Sequence, residues 1–235
     1  ILPNINGRGY GFFKITEGES SGLWSVLRLS EDEVLKGSLL ITLYENLRWK
    51  TISPQGFRDE MLAYLPNESN SLLFSMALSY LGDCQRIFPS DSRPLEQALW
   101  KIVTTNPVSQ HRLQAFRLYR SIADSEEAVQ RLYTLWQERK APKDCALSES
   151  DYIGLSYMLA MHLPEKADKI IATQLSRIQN PDRKKEYQFI SPSVSPRKAE
   201  RDSVFASLLI AGNRRVEPWA SSALANLNHR LREQE

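Results

Sequence analysis

Apolar residues return at helical spacing, segment after segment, from Ser30 to the end of this chain. Leu35, Leu39, Leu43 and Leu47 form the first stripe. Residues four positions apart lie on one face of an α-helix, so this stripe is the buried side of a helix. Further helices are predicted near residues 54–65, 73–87, 92–103, 107–123, 125–139, 148–163, 167–178, 181–190, 197–210 and 218–228. Such a succession predicts an all-α fold.

The predicted helices form pairs that recur at a nearly constant distance along the chain. The pairs begin near residues 30, 68, 107, 148, 181 and 217, so successive pairs are 33 to 41 residues apart. This period is typical of HEAT and armadillo repeats, in which each helix pair buries its apolar side against the next pair. The residues themselves do not repeat. We therefore predict an irregular HEAT/armadillo-like α-α superhelix of paired antiparallel helices over residues 21–235.

Several helix starts carry recognisable capping residues. Ser30 followed by Glu33 has the spacing of a capping box, and Ser148 followed by Asp151 has the same spacing with aspartate in place of glutamate. Pro54 lies in the first turn of its predicted helix, where the missing N–H of proline costs least. These signals predict where three of the helices begin.

Two segments fit the helical pattern less well. Residues 1–20 are rich in glycine, and Phe12, Phe13 and Ile15 follow in strand-like order, so a turn and a short strand-like segment are predicted there. The segment 181–190 leaves two interpretations open, because its aromatic and β-branched residues suit an extended segment as well as a helix.

Composition and charge exclude several classes of protein. The 235 residues are 42% hydrophobic and 25% charged, which is typical of a globular domain and not of a disordered chain. The formal net charge of +2 is too small to indicate nucleic acid as a partner. No apolar run approaches the roughly 18 residues of a membrane span. Cys84 and Cys145 match neither a disulfide framework nor a metal site, so we predict buried free thiols. The chain starts at Ile1 without an initiator methionine or signal peptide, so we expect a piece of a longer protein and assign no compartment.

Residues that could carry catalysis or bind a metal are scattered along the chain. His111, His162 and His229 stand far apart, and the zinc motif H-E-x-x-H is absent. No serine lies in a G-x-S-x-G elbow, and neither cysteine has a histidine near it in sequence. We predict no catalytic residue, no metal site and no cofactor within this chain.

Cationic residues in the turns between late helices are the remaining candidates for binding. One group is the run 183–185, and the other is Arg214 with Arg215. A guanidinium can bind a carboxylate through two parallel hydrogen bonds, which suits recognition of a peptide carboxyl group. The alternative is structural: these side chains bind carbonyl groups at helix ends or pair with Glu186 or Glu217. The sequence leaves both interpretations open.

Motifs at both ends of the chain resemble a known family. They are Pro3-Asn4 to Gly9-Tyr10, Asn180-Pro181-Asp182-Arg183, Phe189 to Ser195, Asn213-Arg214-Arg215 to Glu217-Pro218-Trp219, Asn228-His229 and Leu231-Arg232. Together they resemble the C-terminal helical region of a bacterial branch of the H-E-x-x-H zinc aminopeptidases, the alanyl aminopeptidase family. Arg230 stands where that branch would have proline. The middle of the chain matches by helix pattern more than by residues.

This resemblance implies a division into domains and a role without catalysis. Residues 1–20 would end a preceding β-domain or linker, and residues 21–235 would be the C-terminal helical domain, truncated at its end. The parent enzyme would remove N-terminal residues from peptides with zinc, a glutamate base and a tyrosine, none of which this chain supplies. Its partners would be the N-terminal and catalytic domains of the same protein and the peptide substrate. Arg183, Arg214 and Arg215 are the candidate substrate-binding residues by type and position. A freestanding HEAT-like scaffold that binds a protein partner is the alternative.

Overall fold

Every regular element in the part of the chain that the structure describes is helical. The computed structural model describes Gly9 and residues 11–232, and the predicted all-α fold is confirmed there. The α-helices are α1 (Glu17–Leu29), α2 (Glu33–Arg48), α3 (Pro54–Tyr64), α4 (Ser71–Ile87), α5 (Arg93–Thr105), α6 (Ser109–Ile122), α7 (Glu126–Glu138), α8 (Glu149–His162), α9 (Ala167–Arg177), α10 (Pro181–Ile190), α11 (Lys198–Leu208) and α12 (Glu217–Leu227). No helix in these ranges is both long and apolar enough to cross a membrane.

The first helix begins earlier than the apolar pattern indicated. Thr16 caps α1 through a capping box with Glu19, whose carboxylate accepts from the Thr16 backbone N–H at 2.8 Å. This capping box lies where the sequence indicated a turn and a strand-like segment. Phe12 to Ile15 form no strand. The rest of the predicted strand-like segment, residues 1–8 and Tyr10, lies outside the described residues.

Capping residues set the starts of the later helices. The prediction that Ser30 and Glu33 form the cap of α2 is wrong: Asp32 is the N-cap, and its Oδ1 accepts from the backbone N–H groups of Val34 and Leu35. An Asp at this position satisfies two of the free N–H groups of the first turn. The capping box of Ser148 and Asp151 is confirmed at the start of α8.

The chain divides into two compact units. The first reaches to Ala123 and includes Pro142–Cys145, and the second comprises Asp124–Ala141 and continues from Ala146. The predicted domain limits of 1–20 and 21–235 remain a prediction.

In the first unit, helices pack on their neighbours, as expected for stacked helix pairs. α1 packs on α2, α2 on α4, α4 on α6, and α5 on α6. Trp100 of α5 contacts Tyr119 of α6 with ring centroids 5.1 Å apart. The fully buried side chains of this unit include Leu27, Leu39, Leu43, Leu47, Phe57, Met61, Phe74 and Phe116. Both cysteines are buried thiols outside any disulfide, as predicted.

The second unit ends in three packed helices. α10 and α11 both pack on α12. Phe189, near the end of α10, contacts Trp219 in the first turn of α12. The Asn226 side-chain amide of α12 donates at 3.0 Å to Ser193 Oγ in the 3₁₀ turn that follows α10. A small core of Leu208, Ala220 and Ala223, with Phe189 and Val204 against it, holds the three helices together.

Candidate functional site

The start of α10 is fixed by Asn180, which decides between the two interpretations of residues 181–190. Its Oδ1 accepts from the backbone N–H groups of Asp182 and Arg183, both at 3.0 Å, and Pro181 occupies the first turn. The segment is therefore a helix. Tyr187 lies on its buried side and is fully buried.

Arg183 is engaged in a structural ion pair. Its Nη1 lies 3.2 Å from Glu149 Oε2, while Glu149 Oε1 accepts from the backbone N–H of Gln179 at 2.8 Å. The Gln179 N–H, helped by the Arg183 guanidinium, lowers the pKa of Glu149 below its usual value. One carboxylate thus joins the first turn of α8 to the segment that leads into α10. Arg183 therefore pairs with a carboxylate of its own chain, which is Glu149 and not the Glu186 or Glu217 that the structural alternative named.

Arg214 and Arg215 lie in a different environment. Arg214 ends a 3₁₀ turn, Ala211–Arg214, and Arg215 follows it just before α12. Both side chains are exposed. Neither guanidinium has an ion pair or hydrogen bond with any residue that the structure describes, and the alternative pairing with Glu186 or Glu217 is not found there. These two cations are available to an anion from solution.

Each of the two groups of arginines lies at the start of a helix. Arg183 is in the first turn of α10, and Arg214 and Arg215 come just before α12. The positive end of each helix dipole adds to the cationic character of that end. We call Arg183, Arg214 and Arg215 the basic rim.

Sequence reasoning missed a fourth arginine in this region. Arg197 binds Asp168 through Nη1 and Nη2, at 2.7 and 2.9 Å, and also binds Glu200. Hydrogen bonds from Arg197 lower the pKa of both carboxyl groups. The spacing of Arg197 and Glu200 could have revealed the local pair, but the 29-residue separation from Asp168 could not. Arg197 thus pairs with two carboxylates, whereas Arg214 and Arg215 pair with none among the described residues.

A cleft and several exposed apolar side chains surround α11. The cleft has a volume of about 600 Å³. It is lined by Phe189, Pro192, Ala199, Glu200, Ser203, Val204 and Ser207. Ser203 and Ser207 bond back to backbone carbonyls of their own helix, so their hydroxyl protons are used. Phe205, Leu209 and Ile210 are exposed to solvent.

The described residues do not assemble a metal site. No group of three or more His, Cys, Asp or Glu side chains that could hold a metal ion occurs among them. The rings of His162 and His229 are 6.5 Å apart, and His111 is buried against Phe74. The donor set that zinc requires is therefore not formed by these side chains.

Comparison with models of protein families, with curated proteins and with solved structures gives no match to this chain.

Proposed function

We propose that this chain is the helical C-terminal domain of a zinc aminopeptidase, in which it caps the active-site cavity and limits and orients the peptide substrate. The observation that carries the proposal is the contrast among the arginines of the second unit. Arg183 and Arg197 bind carboxylates of this chain, whereas Arg214 and Arg215 are exposed and bind none among the described residues. The proposal also rests on the sequence motifs that resemble the family.

Two neighbouring guanidinium groups suit one particular ligand, the carboxyl group at the far end of a peptide. Each guanidinium presents a planar set of donors that can bind a carboxylate through two hydrogen bonds. Arg183 contributes less to such a site because one of its nitrogens already binds Glu149. We therefore assign carboxylate recognition to Arg214 and Arg215, with Arg183 as a further positive charge of the basic rim.

The chemical step belongs to other parts of the protein in this proposal. The sequence has no H-E-x-x-H motif to supply zinc ligands and the glutamate base. We therefore assign the zinc ion, the base and the catalytic tyrosine to the rest of the protein. The role of this chain is to bind and position the substrate. Loss of its binding residues should therefore raise KM for peptides and leave kcat for small substrates nearly unchanged.

Steady-state kinetics of the full protein tests this role. In the double variant Arg214→Ala/Arg215→Ala, KM for peptides with a free carboxyl group should rise about tenfold, since a charge-assisted hydrogen bond contributes roughly 1.5 kcal/mol or more. KM for single-residue amides should not change, because they do not reach the rim. Lys184→Ala is the control, since Lys184 is an exposed cation in α10. Equal effects on both substrate classes would contradict the proposal.

A freestanding protein-binding scaffold is the second candidate. Exposed Phe205, Leu209 and Ile210 favour it, because neighbouring large apolar side chains in water are typical of interaction surfaces. Peptide hydrolysis by the full protein, abolished by a chelator and restored by zinc, would exclude it. Absence of such activity in a folded full protein would favour it over the aminopeptidase domain.

A further inference from the structure

α2 and α4 of the first unit leave large apolar side chains in water. Val34 is 65% exposed, Ile41 49% and Leu72 76%. Val34 and Ile41 are seven residues apart, and Leu72 and the half-buried Met76 are four apart, so each pair lies on one side of its helix. We call these four residues the α2–α4 face.

The two helices lie side by side, which brings these side chains onto one surface. A Cβ on Gly37 would lie 3.9 Å from the Met76 methyl group, so the helices approach closely there. Two turns further along α2 and one turn further along α4, Tyr44 stacks on Tyr80 with ring centroids 4.0 Å apart, and the Tyr44 hydroxyl donates to Asp83 at 2.8 Å. The residue numbers of these contacts rise together, from Gly37 and Met76 to Tyr44 and Tyr80, so α2 and α4 run in the same direction. The face is thus a row of apolar groups along two parallel helices.

One end of this face carries unbalanced negative charge. Glu31 and Glu33 are exposed at the start of α2, and neither has a cationic partner in the part of the chain that the structure describes. Asp32, between them, is occupied in capping the helix. Lys36, one turn further, is held by the buried Glu68 carboxylate at 2.9 Å, so its charge is already compensated. A ligand that covers the apolar row meets these free carboxylates at its end.

We propose that the α2–α4 face is a docking surface for a basic amphipathic helix of a protein partner. Apolar side chains of the partner, spaced three or four residues apart, would cover Val34, Ile41, Leu72 and Met76, as helices bind in apolar grooves elsewhere. Lysine or arginine at one end of the partner would pair with Glu31 and Glu33. Opposite charges at the rim of an apolar interface set orientation and speed association. An anionic membrane, a nucleic acid or an acidic helix would be repelled by these carboxylates. This inference does not depend on the proposed function, because none of its residues belongs to the basic rim.

A designed peptide tests the docking surface directly. The probe is a leucine–lysine amphipathic helix of about 15 residues, near the length at which isolated helices become stable. The matched probe replaces every lysine by glutamate. The whole chain is labelled with ¹³C-methyl methionine, and binding is followed by the Met76 methyl signal. Met61 is fully buried in the same unit and serves as the internal reference.

The leucine–lysine peptide should shift the Met76 signal, leave Met61 in place and bind at least tenfold more tightly than the leucine–glutamate peptide. Glu31→Lys/Glu33→Lys should weaken its binding about tenfold, and Leu72→Ser should weaken it while leaving every charge intact. The control is Glu126→Lys/Glu127→Lys, which makes the same charge change at the exposed start of α7. Circular dichroism checks that each variant remains helical.

Several results would overturn the proposal. The Met76 signal could stay in place, or the two peptides could bind with equal affinity. An equal loss of affinity in Glu126→Lys/Glu127→Lys would show that the attraction between charges is nonspecific. Self-association of the chain that Leu72→Ser abolishes would assign the face to a second copy instead.

Discussion

His111 is a fully buried histidine whose two ring nitrogens have different surroundings. Its Nε2 lies 3.0 Å from Ser71 Oγ, and its ring stacks on Phe74 with centroids 4.0 Å apart. Its Nδ1 is buried without a hydrogen-bond partner. Burial lowers the pKa of His111, and nearby Glu68 opposes this shift only in part. A charged imidazole is therefore costly at this position.

Acid should destabilise the protein through this residue before its carboxylates titrate. Since the folded state holds the lower pKa, the unfolded state binds the proton first, and the stabilisation present above the unfolded pKa of about 6.5 is lost as pH falls. We expect the urea midpoint to fall between pH 7.5 and pH 5.5, and to fall less in His111→Phe, which keeps the stacking on Phe74. The slope cannot exceed about 1.4 kcal/mol per pH unit for one proton.

His229→Gln is the control for this pH dependence. Burial, together with Arg230 and Arg232, also lowers the pKa of His229, so both histidines contribute in the same direction. The His229 variant should retain the part of the slope that comes from His111. A pH dependence identical in His111→Phe and the unchanged protein would contradict the assignment.

The start of α10 illustrates how a single side chain can determine an element. Asn180 supplies both side-chain hydrogen bonds of the first turn, and Pro181 adds the backbone angle that a helix start prefers. The buried Tyr187 then anchors the helix, and its hydroxyl lies 3.0 Å from Ser156 Oγ in α8. Local capping and one buried anchor outweigh the extended-strand preference of this segment.

Asn180→Ala should therefore loosen the start of α10. The expected cost is about 1 kcal/mol, as for other N-cap residues, because two backbone N–H groups lose their acceptor. Hydrogen exchange at the amides of Asp182 and Arg183 should become about fivefold faster, whereas Asn180→Asp should leave it unchanged. Asn213→Ala is the control, since the Asn213 side chain donates to the Ser207 carbonyl and accepts from no backbone N–H of a helix start. Unchanged exchange in Asn180→Ala would show that packing alone fixes this helix start.

Sequence patterns predicted most of the helices, but they did not predict which arginines pair with carboxylates of the chain. Helices with long apolar stripes or a capping box, such as α8, were predicted from local signals. α1 was missed because Gly18, Gly22 and three serines dilute its apolar pattern. The pairing of Arg183 with Glu149 spans 34 residues and depends on tertiary packing, so sequence reasoning left it open. The candidate site was thus predicted by residue type, and the structure separated its bound members from its unbound ones.

At the scale of the whole molecule, two surfaces of opposite charge lie on different units. The α2–α4 face, with Glu31 and Glu33 at its end, belongs to the first unit, and Arg214 and Arg215 belong to the second. These two carboxylates and two guanidinium groups have no ionic partner among the described residues. We thus propose separate surfaces for a basic helix and for a peptide carboxylate.

Binding of one peptide in two forms tests directly whether Arg214 and Arg215 recognise a peptide carboxylate. A fluorescent peptide of about nine residues, with either a free carboxyl group or an amide at its C-terminus, is titrated with the whole chain. The amide should bind roughly tenfold more weakly, as expected for the loss of a charge-assisted interaction. Arg214→Ala/Arg215→Ala should bind both forms with the same weak affinity. Equal affinity of the unchanged chain for the acid and the amide would show that Arg214 and Arg215 do not recognise the carboxylate.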